Sequence, residues 1–337
     1  MTLEQTNPVE PSTVKKPRWR WGINRWWILL FTILTIIGTN IIAPVRPHIQ
    51  VAPEALTEKP LVTLPWIGEI PLTNTLIATA LVDIIIILIA FAIYRWTKKG
   101  SLIPSGIAGA FETLLDMLYN LTESSAGRWA KKIFPWFATF LILVLFNNLI
   151  KLLPGFESIG FLEQIDKGVP AQHLFGNVYT ITTGEAAAGA GYTVKAFLRG
   201  ASTDLNFTVA LAIISVLMTQ IIGVQAQGPR YFSKFFNTLT IFKKPIFGFM
   251  DFIVGLLELI SECAKLLSFS FRLFGVMFSG VVLVAIVGSM LPVFFPSLIY
   301  MFELFMGVIQ AFVFGMLTMV FMAQATQGHG SEDHAES

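Results

Sequence analysis

Four ionisable residues spaced seven apart stand inside the most apolar part of this chain: Asp251, Glu258, Lys265 and Arg272. Seven residues nearly complete two helical turns, so on a helix all four share one slowly drifting stripe. Glu262 joins the stripe one turn after Glu258, and Ser268 and Ser279 continue it. Further along, Glu303 and Gln310 are again seven apart, with Tyr300 about one turn before Glu303 on the same side. Carboxyls and hydroxyls can take up and pass on protons. An arginine does neither, because its pKa above about 12 keeps it charged even when desolvated. A charge at the centre of a membrane span costs at least about 2.5–3.5 kcal/mol. Groups of this kind persist there only if they face water, one another or an ionised partner. For Arg272 two readings compete: an internal ion pair with Glu303 or Glu258, or a permanent cation presented to another molecule. Snorkelling needs a helix end, and Arg272 lies well inside its apolar run.

The elements that must carry these residues follow from composition. The chain has 337 residues, of which 54% are hydrophobic and only 13% charged. Soluble domains average about 25% charged residues, so the solvent for most of this chain is lipid. A net charge of +2 gives no basis for nucleic-acid binding. The single cysteine, Cys263, excludes an internal disulfide, and no Cys/His cluster suggests a metal or other cofactor. All four histidines lie outside the apolar runs, so a proton relay within the membrane must use carboxylates.

A spanning helix needs about 20 apolar residues. The candidates are 26–43, 75–94, 133–153, 205–227, the long stretch 245–290, and 297–325. As one helix, 245–290 would run about 69 Å at 1.5 Å per residue, against a hydrocarbon core of about 30 Å. It is expected to be strongly tilted, bent or partly outside the core, with Gly248, Gly255, Gly275 and Gly280 as bend points. Pro292 and Pro296 mark a tight turn, so the last two helices should form an antiparallel hairpin. That hairpin would bring Gln310 to the depth of Arg272, where its amide can bond the guanidinium. The segment 105–132 repeats apolar residues at helical spacing among Glu112, Asp116, Glu123 and Arg128. It reads as an amphipathic helix, either along the membrane surface or on a soluble partner. The fold class is therefore all-α: a multi-pass helical bundle with two long C-terminal helices and one amphipathic surface helix.

Basic clusters at 15–25, 95–99 and 230–244 fall on one side of the spans, and positive charge stays inside. Both termini are then cytoplasmic, and 44–74 and 154–204 form outside loops. The chain divides into a basic segment 1–25, a first helix 26–43 that is either an extra span or a signal anchor, a main domain 75–326 and an acidic tail 327–337. Asp83, inside the second span, is expected to be a paired packing acid.

At this point the residues resemble a known family. The run Ser270-Phe271-Arg272-Leu273-Phe274-Gly275, followed by Met277, Ser279 and Gly280, resembles the signature helix of F-type ATP synthase subunit a. So do Gln310-Ala311-Phe312-Val313-Phe314 with Leu317-Thr318, the span end Asn147–Gly155, and the span start Thr203–Thr208. The likeness covers about residues 70–326 in the family's order.

The resemblance implies a non-catalytic, proton-conducting stator subunit of a prokaryotic plasma membrane. Its partners would be the rotor c-ring, the peripheral-stalk b subunits and the rest of the ATP synthase complex. It implies that Arg272 faces the ion-binding carboxylate of the ring. Glu258 would line the cytoplasmic half-path, with Glu262 beside it. Glu303 would titrate in the outer half-path, and Gln310 would sit close to the arginine. Asn148 and Asn206 match polar positions of neighbouring spans. Lys265, Ser268, Ser279 and Tyr300 are supporting polar groups.

Three positions depart from the family pattern. Val276 and Val281 stand where polar groups are usual, leaving Glu303 to carry the outer half almost alone, helped by Tyr300, Ser279 or water. Lys151 stands where relatives often have an acid. The rival class is a secondary transporter with an intramembrane Arg/Glu site. It would normally show an internal repeat and broken helices, and neither is evident. The resemblance leaves proton and sodium both open as the transported ion.

Overall fold

A computed structural model of the chain describes residues 21–41, 51–57, 60, 62–65, 68–98, 107–153, 155–165, 168–181, 191–229, 231, 245–291 and 295–327. The basic residues before Trp21, most of the basic stretch 230–244, the turn at Pro292 and the acidic tail lie outside them. The helices are α1 (Trp21–Ile41), α2 (Asn74–Thr97), α3 (Ile107–Ala126), α4 (Ala130–Ile150), α5 (Leu205–Gln227), α6 (Pro245–Met290) and α7 (Phe295–Thr326). Five helical segments are long and apolar enough to cross a membrane: α2, the run Gly109–Ile150 that holds α3 and α4, α5, most of α6, and α7. The chain is thus an all-α, multi-pass membrane protein.

One end of the bundle is fixed by capping and hydrogen bonds. Thr73 caps α2 by accepting from the Leu76 amide, and Asp204 caps α5 by accepting from the Asn206 amide at 2.9 Å. Capping carboxylates satisfy otherwise orphaned helix amides. The second carboxylate oxygen of Asp204 accepts from the Thr75 hydroxyl at 2.7 Å, in a buried contact that locks the starts of α2 and α5 together. The C-terminus of α4 and the start of α7 gather at this same end, as the Lys151 contact below shows.

Around this end the structure holds what the sequence had suggested only as loops. β1 (Val62–Leu64) pairs with β2 (Gly68–Ile70), β3 (Gly160–Ile165) with β6 (Gly191–Ala196), and β4 (Ala171–Phe175) with β5 (Val178–Ile181). All three ladders are antiparallel. The β4–β5 turn uses Gly176 at φ +56°, a conformation that side chains disfavour.

The core lies where α4, α5, α6 and α7 meet. Phe140, Phe269 and Phe314 bring α4, α6 and α7 together, with ring centroids 5.9 Å apart for Phe140–Phe314 and 5.4 Å for Phe269–Phe314. α7 runs antiparallel to α4 and comes very close to it. A Cβ at Gly307 would lie 3.2 Å from Asn148 Cβ, and one at Gly315 would lie 3.0 Å from Phe137. Small residues are what let membrane helices approach in this way. α5 is tied to α7 by the buried Ser215–Thr318 hydroxyl bond at 2.8 Å and by Gln227, whose amide donates to the Ala325 carbonyl.

α6 is a continuous helix from Pro245 to Met290. Its glycines do not break it. Contacts pair Gly288 with Pro296 and Met277 with Gly307, so α6 and α7 pack antiparallel. α3 packs Leu118 into the core and leaves Glu112, Asp116 and Glu123 exposed, which gives its amphipathic pattern a partner within this chain. One expectation is corrected. Asp83 is exposed on α2 and has no hydrogen-bond or ion-pair partner among the described residues, where a buried, paired acid was expected.

The close α4–α7 approach predicts an asymmetry among glycines. Gly315→Leu should destabilise the detergent-solubilised protein by about 1–3 kcal/mol, as overpacking does. Gly275→Ala, where a Cβ meets nothing within 4 Å, should leave the thermal midpoint unchanged.

Candidate functional site

Glu303 sits on the third turn of α7, facing inward. Its carboxylate Oε1 lies 3.4 Å from the Nζ of Lys151, the residue that closes α4, and the two side chains are only 6% and 3% exposed. Space for the carboxylate comes from Gly280 on α6. A Cβ there would overlap Glu303 Oε1 and come within 3.1 Å of its Cγ. Gly280 is therefore a seat for the acid and not a bend. Three helices thus meet at one ion pair.

Lys151 is itself held from the loop side. A Cβ at Gly200 would lie 2.9 Å from Lys151 Cδ and 3.5 Å from Glu157 Oε1. The Gly200 amide donates to that same Glu157 oxygen at 3.0 Å. Glu157 is exposed, whereas Lys151 and Glu303 are buried. A charged row of alternating sign therefore leads from the water-facing loop into the bundle. Tyr300, half a helical face from the pair and exposed, lies within electrostatic reach of both Glu157 and Glu303.

Deeper along the same α4–α7 seam, Asn148 donates from its amide to the Gly307 carbonyl at 3.0 Å. Its Oδ1 is buried without a protein partner, and so is the Oδ1 of Asn147. Buried polar atoms left over in this way are places for ordered water. Gln310 follows one turn after Gly307 and is buried.

Arg272 occupies a different setting. It is exposed on the outward face of α6, with Ser268, Gly275 and Ser279 exposed beside it. Its guanidinium donates to the Ser268 hydroxyl at 3.2 Å, one turn away on its own helix. No carboxylate among the described residues pairs with it. The inward side of the same helix buries Phe269, Leu273 and Met277.

The rest of the stripe divides. Glu262 is buried and pairs with Lys265 at 3.0 Å, and the Lys265 ammonium rests 4.9 Å from the Phe321 ring of α7. Glu258 is half-buried on the same stretch of α6. Asp251 belongs to α6, but its side chain lies outside the described residues.

Several expected neighbours are not brought together. Gln310 makes no hydrogen bond with Arg272, because Gln310 turns into the bundle and Arg272 turns out. Ser279 spends its hydroxyl on the Val276 carbonyl of its own helix. Asn206 is exposed at the start of α5. Lys151, Glu157, Gly200 and Gly280 are the residues that sequence reasoning did not place at the site. Lys151 carried a signal: a cation directly after an apolar span and before Pro154 needs an acid. The glycines carried none, since close approach shows only in three dimensions.

Comparison with known proteins agrees with the residue-level likeness. The profile of the ATP synthase A chain family matches residues 76–323. An ATP synthase subunit a from Moorella thermoacetica is 28% identical over 263 residues, covering 78% of this chain and 95% of the relative. A sodium-ion-specific ATP synthase subunit a from Propionigenium modestum is 29% identical over 265 residues, covering 75% and 73%. One from Mycobacterium bovis is 28% identical over 271 residues, covering 79% and 91%.

The buried pair predicts a non-additive pattern of stability. Lys151→Met alone should cost about 3–5 kcal/mol, because it strands the Glu303 charge. Combined with Glu303→Gln it should cost less than it does alone. Thermal unfolding of the purified protein in detergent measures this. A double variant equal to the sum of the two singles would show no coupling.

Proposed function

The chain belongs to the ATP synthase A chain family, and from that premise we propose that it is the proton-conducting stator subunit of an F-type ATP synthase. Its place as a membrane subunit of that complex follows from the family. The finer reading has two offset half-paths meeting a rotor ring, with Arg272 between them. The observation that carries it is the exposed Arg272 guanidinium, presented on an apolar helix face without a carboxylate partner among the described residues. In lipid such a cation requires an acid from another polypeptide.

The end bearing the β ladders is assigned to the outside, and both termini to the cytoplasm. Glu303 then belongs to the outer half-path, seated against Gly280. Gly280 lies about 12 Å along α6 from Arg272, and Glu258 about 21 Å on the other side, at 1.5 Å per residue. The three groups are thus ordered along one helix: outer acid, fixed cation, inner acids. A proton from outside reaches Glu303 and passes through water near Asn148 to a carboxylate of the ring. The neutralised ring site can turn into lipid. After nearly a full turn it meets the inner half-path near Glu258 and Glu262 and releases its proton inward.

Arg272 prevents a short circuit, since its permanent charge repels hydronium and favours the ionised form of the arriving carboxylate. The driving energy is about 2.3 kcal/mol per charge per 100 mV. Nucleotide chemistry belongs to other subunits, and the peripheral stalk holds this one still. The relative from Propionigenium modestum is named sodium-ion-specific. For this chain the buried ammonium beside Glu303 favours protons, because it occupies the carboxylate that a metal cation would need.

Arg272→Ala should abolish proton-driven ATP synthesis in membrane vesicles while the complex still assembles. Normal synthesis by that variant would refute the role given to Arg272. Glu303→Gln should lower synthesis by at least about a hundredfold, the lower end of what one positioned proton-transfer group contributes. Near-normal turnover there would mean that protons reach the ring by another route.

A further inference from the structure

The row Glu157–Lys151–Glu303 is more than a salt bridge with an acid nearby. Uptake of a proton by Glu303 breaks its ionic bond with Lys151. The ammonium would then be left in a buried position with no counter-charge, at a large desolvation cost. The structure supplies a second acid for that moment. Glu157 Oε1 and the Lys151 stem both lie against Gly200, and the Gly200 amide holds Glu157 in place. Lysine suits the task, being a compact charge on a flexible four-carbon stem.

We propose that Lys151 is a counter-ion switch of the outer path, pairing with Glu303 when that carboxylate is ionised and with Glu157 when it is protonated. This rests on the reading of Glu303 as part of that path. The proton balance is simple. A hydronium gives its proton to a Glu303 oxygen and leaves as water, and the Lys151–Glu303 bond is exchanged for Lys151–Glu157. Glu303 next gives the same proton to water on the ring side, becomes a carboxylate again, and Lys151 returns to it. Lys151 stays protonated throughout and transfers nothing, so it is a positioning residue. Both buried states then contain a paired ammonium, and neither the loading nor the unloading of Glu303 strands a charge. The other groups facing the pair are Tyr300, one turn from Glu303, and the uncharged Gly280 and Gly200.

The test uses the whole complex reconstituted in liposomes, with passive proton conductance measured after removal of the nucleotide-binding head. Glu157→Gln is the informative variant. Glu157 is exposed, and a glutamine oxygen can still accept from the Gly200 amide, so the change removes charge and little else. Conductance should fall by at least about fivefold, the scale of one lost charge pair at a partly screened distance. Glu157→Asp, which keeps the charge, should stay within about twofold of the parent. Lys151→Arg should likewise conduct, while Lys151→Met should not, at equal amounts of assembled complex. If Glu157→Gln loses less than about fivefold while Glu303→Gln still blocks conductance, the switch is wrong and the path stands. If Glu303→Gln itself conducts normally, the path reading has failed and the switch with it.

Discussion

A charge withdrawn from water needs an opposite charge, and this constraint organises the protein. Among the described residues, Lys151 and Arg272 solve the problem in opposite ways. Lys151 is buried and paired within the chain, 3.4 Å from Glu303. Arg272 is turned outward and left without an acid of its own among the described residues. The first arrangement is complete by itself. The second would be completed by a carboxylate from another polypeptide, and on the proposed reading that incompleteness marks the surface turned toward the rotor ring.

Packing makes both arrangements attainable. Glycines at 307 and 315 let α7 lie against α4, and this closeness delivers Glu303 to the end of α4 where Lys151 waits. Gly280 removes the side chain that would otherwise fill the Glu303 site, and Gly200 removes the one that would push Lys151 away. On the other flank, α6 buries Phe269, Leu273 and Met277 inward. With those three fixed against α7, helical periodicity leaves Ser268, Arg272 and Ser279 no direction but outward. The outward cation is thus a consequence of the inward aromatic contacts, not an independent feature.

Much of this was legible in the sequence, and for a physical reason. Lipid offers no hydrogen bonds to a backbone, so apolar length translates directly into helix, and the helices expected at 75–94, 133–153, 205–227, 245–290 and 297–325 fell within a few residues of those limits. The heptad spacing of Glu258, Lys265 and Arg272 likewise identified one helix face before any packing was known. What spacing could not show is how that face divides. A drift of about 20° per heptad, together with a flexible lysine stem, lets Lys265 fold back onto Glu262 and Phe321 while Arg272 does not. Gln310 and Arg272 were expected to touch because their depths agree, but depth says nothing of azimuth. The β3–β6 ladder and the Gly200 contact were invisible because they depend on pairing between distant segments. Asp83 misled, since an acid in a span reads as paired, whereas it is exposed and shows no partner among the described residues.

The difference between the two cations is chemical as well as geometric. A guanidinium is planar, weakly hydrated and charged at any accessible pH, and it suits a place where the charge must never be lost. An ammonium is compact, rides on a long stem and can exchange one carboxylate for another. On the proposed reading, arginine stands on the exposed face because the acid that passes it comes and goes while its own charge must be held. Lysine stands in the buried seam beside Glu303, which on the same reading gains and loses a proton while Glu157 offers a second acid. Exchanging the two residue types would keep a charge in the buried seam but place a deprotonatable amine where permanence is needed. The choice of side chain at each position therefore follows from whether the charge or its partner must change during turnover.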